Sequence, residues 1–275
     1  YHKQERMLKC HYCEYQIPIM KHCPNCKGTN LKHFGTGTQK VEEQLENLFP
    51  GVKVIRYDVD TTKNKDGHQK LLQQFENHEA DILLGTQMIA KGLDFENVTF
   101  VGVLNADLSL NIPDFRSNER TYQLLEQVSG RAGRGKKKGT VMIQTYNPDH
   151  FVLQCVKTHD FNRFFNEEMK IRRLAKYPPY VHLLSIIIQG KNEQAVSKNA
   201  NQIKTYLQKQ LPQILILGPA NSLIYRMQDI YRKRIMIKFT NSKQLYPVLE
   251  KMSDFYNKKG NKVHVVCDFN PYNQI

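Results

Sequence analysis

The chain has 275 residues, with 40 Lys+Arg against 26 Asp+Glu and a formal net charge of +14; 40% of it is hydrophobic. That much apolar material at this length builds one large or two modest cores and excludes disorder as the main state. The longest apolar runs, residues 183–188 and 214–217, fall far short of the roughly 20 residues that cross a bilayer, so no membrane span is expected.

Residues 1–33 are polar and cysteine-rich, and no apolar signal core follows Tyr1. Cys10-His11-Tyr12-Cys13 and Cys23-Pro24-Asn25-Cys26 are two C-x-x-C knuckles nine residues apart. Two such knuckles can place four thiolates around one tetrahedral Zn²⁺, and a closed site of that kind serves as a structural staple. The remaining cysteines, Cys155 and Cys267, read as buried small apolar residues.

From residue 34 the pattern becomes α/β. A helix is expected from Thr38, with Val41, Leu45 and Leu48 at i, i+4 and i+7, ending at Pro50-Gly51. Residues 52–57 read as a strand, 65–78 as a helix, 81–85 as a buried strand, 98–104 as another, 116–129 as a helix and 140–145 as a closing strand. Strands alternating with helices imply a parallel sheet with helices on both faces, as in RecA-like folds. Residues 151–176 read as one or two helices, and Tyr177-Pro178-Pro179-Tyr180 as a rigid break and domain boundary.

The order then changes. Residues 181–189 read as a strand, 192–210 as a helix, 214–217 and 222–225 as extended pieces, 231–239 as a strand, 242–258 as a helix and 263–267 as a strand. That is βαββαβ, the split arrangement of ferredoxin-like domains. Residues 178–275 hold 14 Lys+Arg and 5 Asp+Glu, a net +9, which favours a polyanionic partner: nucleic acid or an anionic membrane surface. Arg226, Arg232, Lys233 and Arg234, with Tyr225 and Tyr231, flank an expected hairpin able to pair phosphate contacts with base stacking.

Three segments could handle phosphate. Gln127-Val128-Ser129-Gly130-Arg131-Ala132-Gly133-Arg134-Gly135 closes an expected helix and offers two guanidinium forks three residues apart, charged at any working pH and bidentate in geometry. Gly85-Thr86-Gln87 through Lys91-Gly92-Leu93-Asp94 leaves a strand at its carboxyl end, where α/β ligand sites lie; Thr86, Gln87 and Lys91 can donate, and Gly92 permits close approach. Gly35 to Lys40, containing Gly37, Thr38 and Gln39, leads into a helix N-terminus whose free amides attract anions. Residues 130–137 almost spell a Walker A loop, but Lys137 stands where the Mg²⁺-binding hydroxyl should be, and the segment follows a helix rather than a strand. The chain thus offers arginines for a triphosphate without the loop that cradles one.

Taken in order, the two knuckles, G-T-G-T-Q-K-V-E-E-Q-L, I-L-L-G-T-Q-M-I-A-K-G-L-D-F, D-F-R-S-N-E-R-T-Y-Q-L-L, Q-V-S-G-R-A-G-R-G and K-Y-P-P-Y resemble the bacterial primosomal replication-restart helicases of superfamily 2. The likeness covers essentially the whole chain and only the C-terminal part of that family. It implies a zinc module at 1–33, the second RecA-like motor lobe at 34–177 and a basic DNA-binding domain at 178–275. It also implies that Gln127, Arg131 and Arg134 form motif VI and reach ATP·Mg²⁺ held mainly by a first lobe, with Gly92, Asp94 and Gly130 beside the nucleotide. Gly37, Thr38, Gln39, Thr86, Gln87 and Lys91 then lie on the DNA side, and Arg232, Lys233 and Arg234 contact DNA from the last domain.

In that family eight cysteines hold two zincs; here Cys10, Cys13, Cys23 and Cys26 are the last four, so one Zn²⁺ or an incomplete site is expected. The resemblance further implies a bacterial cytoplasmic protein, expected to be monomeric, working on single-stranded and forked DNA with primosome and single-strand-binding proteins. Without a Walker A loop, this segment alone is expected to be inactive. The competing reading is a non-enzymatic, zinc-stabilised nucleic-acid-binding module.

Overall fold

The structure is a computed structural model describing residues 7–9, 16–18, 20, 22, 27–29, 37–58, 61–62, 67–87, 89, 95, 97–130, 139–256, 258 and 261–272. The chain divides into two compact units, one of residues 30–165 and one of residues 1–29 with 166–275.

In the first unit, α1 (Thr38–Leu48), β3 (Val54–Tyr57), α2 (Gly67–Glu76) and β4 (Ile82–Gly85) are followed by β5 (Phe100–Val103), a short α3 (Asp107–Leu110), α4 (Ser117–Ser129), β6 (Thr140–Ile143) and α5 (Phe151–Thr158). Among the described residues the strands form two parallel pairs, β3 with β4 and β5 with β6. The core lies beside the second pair. Tyr122 and Leu125 of α4, Val152, Cys155 and Val156 of α5, and Phe164 pack with Val103 and Ile143. Tyr122 and Phe164 stack at 4.1 Å between centroids.

The sequence leads one to expect helices on both faces of the sheet. Along β5 and β6, however, burial alternates, and Phe100 and Met142 on the outward face are exposed among the described residues. Each strand is too short, and too regularly interrupted by Gly102 or Thr140, to supply the continuous apolar run of a strand buried on both sides. The short α3 has no apolar period long enough to register in the sequence.

The second unit contains a small antiparallel hairpin, β1 (Met7–Lys9) with β2 (Gln16–Pro18). The helix α6 (Phe161–Leu174) runs across the boundary between the units. Beyond it come β7 (His182–Gly190), α7 (Glu193–Gln210), β8 (Leu215–Met227), β9 (Ile230–Phe239), α8 (Leu245–Tyr256) and β10 (His264–Phe269). These four strands form one antiparallel sheet in the order β10-β7-β9-β8.

Helix α7 begins where the Asn192 side chain accepts a hydrogen bond from the Ala195 amide at 2.8 Å, a side-chain N-cap. Its buried positions Val196, Ala200, Ile203 and Leu207 recur at i, i+4, i+7 and i+11, and those of α8, Leu245, Leu249 and Met252, at i, i+4 and i+7. Both stripes meet alternate strand residues: Leu184, Ile186 and Ile188 of β7, and Ile235, Ile237 and Phe239 of β9.

The segment expected as two extended pieces is one strand, β8, with register shifts between Leu217 and Ala220 and between Asn221 and Arg226. Its irregularity is built on Gly218, at φ +98°, where an added Cβ would lie 2.7 Å from the Arg234 carbonyl oxygen. Glycine and proline break the residue pattern without breaking the strand.

The opposite face of this sheet is closed at one end. Lys238 donates from Nζ to the Ala175 carbonyl at 2.8 Å and lies 3.5 Å from the Tyr177 ring centroid. Burial, and next the nearby Lys176, draws the Lys238 ammonium below its ordinary pKa.

Leu207→Ala should destabilise the C-terminal sheet and its helices by about 2–5 kcal/mol, the usual cost of such a truncation in a core. Amide hydrogen exchange of β7 and β9 would report it as faster exchange; unchanged rates would show that α7 does not carry this core.

Candidate nucleotide and nucleic-acid site

The α1 N-terminus is fixed by a charge network absent from any contiguous motif. Gly37 caps the helix through its backbone, its carbonyl accepting from the Lys40 and Val41 amides at 3.0 and 3.2 Å. The Thr38 hydroxyl donates to Asp58 Oδ2 at 2.6 Å, just beyond the carboxyl end of β3. Asp58 is buried, Arg56 Nε lies 2.9 Å from it, and Arg56 also reaches Glu42 of α1 at 2.8 Å. Thr38 is thereby half-buried and committed to the strand, while Gln39 beside it stays exposed.

The β4 exit lies at the same edge. Tyr57 pairs with Gly85, and a Cβ at Gly85 would sit 2.2 Å from the Tyr57 carbonyl oxygen, so only glycine allows this approach. Thr86 and Gln87 follow directly and are exposed; the Thr86 carbonyl accepts from the Ile89 amide at 3.1 Å, turning the chain. Gly37, Thr38, Gln39, Thr86 and Gln87 therefore gather at the carboxyl edge of one parallel pair, the edge at which open α/β sheets bind ligands. Lys91, Gly92 and Asp94 lie outside the described residues.

Gln127 and Gly130 belong to the other pair's layer. Thr121, Tyr122 and Leu125 bury one side of α4, leaving Gln127 exposed in its last turn, and the Gly130 amide closes the helix on Glu126 O at 3.0 Å. Glu126 accepts from or pairs with His159 Nδ1 at 2.9 Å. Burial, followed by Glu126, pushes the Tyr122 hydroxyl up to about 12, so it remains protonated. Arg131 and Arg134 lie outside the described residues, as do Cys10, Cys13, Cys23 and Cys26. The hairpin pair Lys9 and Gln16 brackets the connection that contains Cys10 and Cys13.

Arg232, Lys233 and Arg234 are consecutive on β9 and do not share one face of the sheet. Tyr231, Ile235 and Ile237 pack with the α7 and α8 core, so alternation puts Lys233 on the helix side and Arg232 and Arg234 on the opposite face. Lys233 donates to Asn221 Oδ1 at 3.0 Å, and Arg232 Nε to Gln189 Oε1 at 3.3 Å. The expected hairpin turns at Gln228 and Asp229, both at positive φ.

The aromatic residues of that hairpin are engaged within the domain. Tyr225 donates to Glu193, which with lesser desolvation pushes its pKa up to about 12, and Arg226 pairs with Asp229 and covers the Tyr231 ring at 5.1 Å. Of the two remaining cysteines, Cys155 is fully buried; Cys267 is partly buried, and burial pushes its thiol up to about 11. The residue missed by motif reasoning is Asp58, an isolated acid whose role appears only when β3 and α1 are brought together.

Two family models match in chain order: the helicase conserved C-terminal domain over residues 22–136 and the primosomal protein N C-terminal domain over residues 173–272. Replication restart protein PriA of Bacillus subtilis is 48% identical over 275 residues, 99% of this chain and 34% of that protein. The PriA of Synechocystis is 45% identical over 90% of the chain and 30% of its own length, and that of Borreliella burgdorferi 36% identical over 100% and 41%. The chain thus spans about a third of the length of these relatives. The first match makes the α/β unit a RecA-like lobe, and the chain as a whole belongs to the PriA family of replication restart proteins, corresponding to its C-terminal portion.

Proposed function

We propose that this chain is the C-terminal part of an ATP-dependent superfamily 2 DNA helicase of replication restart, acting in the bacterial cytoplasm on single-stranded and forked DNA with primosome and single-strand-binding proteins. The observation that carries the reading is the seating of α4. Its buried side anchors the helix, and its exposed end carries Gln127 and Gly130 directly into Arg131 and Arg134. Two arginines that follow an anchored helix in the sequence would suit the charge that develops on a transferring phosphoryl group, because positioning and electrostatics supply nearly all of that catalysis. ATP and Mg²⁺ would be held mainly by a first lobe with a true P-loop.

On this reading the strand edge carrying Gly37, Thr38, Gln39, Thr86 and Gln87, extended by Lys91, tracks DNA, and Gly92 and Asp94 couple it to the nucleotide. In the protein that joins this lobe to a P-loop lobe, Arg131→Ala should lower kcat for DNA-stimulated ATP hydrolysis about a thousandfold while DNA affinity holds. An unchanged kcat would remove Arg131 from the reaction. The 275-residue chain by itself should show no DNA-stimulated ATP turnover, and measurable turnover would sink the division of labour between lobes.

Cys10, Cys13, Cys23 and Cys26 are proposed to hold one structural Zn²⁺, with the first knuckle carried on the β1–β2 hairpin. The metal would cross-link a segment too short and polar to build its own core. Metal analysis of the purified chain should return one zinc per chain; none, or two tightly bound, would overturn this.

A further inference from the structure

The last turn of α4 breaks a local rule. A helix ends on free carbonyls and the negative end of its dipole, so basic side chains are favoured there and acidic ones are not. The last turn of α4 holds no basic residue, and Glu126 places a carboxylate in it. Helix stability alone does not account for an acid at this position; what the acid touches does.

Glu126 is held through both its backbone and its side chain. Its carbonyl accepts from the Gly130 amide at 3.0 Å, which closes the helix. Its Oε2 lies 2.9 Å from His159 Nδ1, and its Oε1 is sealed from solvent. The Tyr122 hydroxyl, one turn earlier on α4, interacts with the same carboxylate.

The partners are themselves fixed. His159 ends α5 at φ +53°, where its own amide and the next return to the Val156 and Cys155 carbonyls at 3.2 and 2.9 Å. Cys155 and Val156 are buried, so the imidazole stands on a turn pinned to the core. Asp160 then opens α6, accepting from the Arg163 amide at 2.9 Å through Oδ1 and from the Phe164 amide at 3.1 Å through its carbonyl. Phe164 stacks on Tyr122, which closes the circuit from α4 through Glu126 and the α5–α6 turn back to α4.

Position, more than stability, is what this circuit supplies. The His159 side chain is 65% exposed, and ion pairs so open to water add little to folding. The pair does set where the last turn of α4 lies against the α5–α6 turn, and the exposed Gln127 is the next residue. A local rule broken one residue before a functional run is where such a cost is expected.

We infer that Glu126, held by His159, is a positioning residue for ATP hydrolysis: it fixes the end of α4 from which Gln127 and the arginines that follow in sequence reach the nucleotide; this rests on the reading of Arg131 as a group that acts on the transferring phosphoryl.

The test uses the protein that joins this lobe to a P-loop lobe and follows its DNA-stimulated ATP hydrolysis. Glu126→Ala removes the carboxylate. His159→Gly removes the imidazole at a positive φ that glycine adopts freely, without touching α4. His159→Asn keeps an N–H donor near the place of Nδ1 and tolerates the same backbone. Glu126→Ala and His159→Gly should each lower kcat about ten- to a hundredfold, the cost of a small misplacement of reacting groups, while KM for ATP and DNA affinity hold. The two together should lose no more than either alone, and His159→Asn should keep the kcat of the unsubstituted protein.

The deciding measurement is made in the Arg131→Ala background. There Glu126→Ala should cost nothing further, since the group it positions is gone. A loss that multiplies with that of Arg131→Ala would overturn the inference, as would an unchanged kcat in both Glu126→Ala and His159→Gly, or a raised KM with kcat held. If Arg131→Ala itself leaves kcat unchanged, the reading of the lobe fails and the role of Glu126 with it; if Arg131→Ala lowers kcat and Glu126→Ala does not, only the role of Glu126 fails.

Discussion

The period-two alternation of β7 and β9 is the constraint on which the basic half of the molecule depends. Leu184, Ile186 and Ile188 must meet α7 and α8, as must Ile235, Ile237 and Phe239, because these residues make up the strand side of the core. Once they are committed, every intervening residue is sent to the other face, and none has a choice. Arg232 and Arg234 therefore leave the core side together with Gln189, while Lys233 goes the other way. A one-residue slip of β9 would turn two guanidinium groups toward α7 and α8 and take the isoleucines out of that core, so the packing that stabilises the sheet also specifies its charge pattern.

The parallel unit works by a different constraint. Parallel strands place their carboxyl ends at one edge, and each exit there must turn into a loop. Gly85 is held against the Tyr57 carbonyl, so the chain leaves β4 at a fixed point beside Asp58. Asp58 in turn fixes the first turn of α1 through Thr38, and Arg56 ties Asp58 back to Glu42 on the same helix. The Thr38 hydroxyl proton is already given to a carboxylate, while Gln39, Thr86 and Gln87 are exposed polar donors among the described residues of this edge.

Much of this was legible in the sequence where the signal is contiguous or periodic. The helix expected over 192–210 corresponds to α7 at Glu193–Gln210, and that over 116–129 to α4 at Ser117–Ser129, because a 3.6-residue stripe survives any tertiary context that buries one side. The run around Gln127 and Gly130 is contiguous, so the sequence alone puts both at the end of a helix, where α4 closes. β8 was not legible, since Gly218-Pro219 looks like a stop and is instead a bulge, tolerated where one strand crowds Arg234 of the next. Arg232, Lys233 and Arg234 read as one run of charge in the sequence, and adjacency in a strand divides them between opposite faces.

The same distinction explains where the charge excess goes. A composition count assigns +9 to residues 178–275 and cannot say which of those charges are spent internally. In the folded domain Lys238 is spent on the end of α6 and the Tyr177 ring, Lys233 on Asn221, and Arg226 on Asp229 and Tyr231. Lys191, Lys198 and Lys262 come from separate segments, share no motif, and meet only after β7, α7 and β10 have assembled. Exposed lysines of this kind add little to stability even where they find a carboxylate. The fold thus uses Lys238, Lys233 and Arg226 internally and leaves Lys191, Lys198 and Lys262 on the surface, a division that a composition count does not carry.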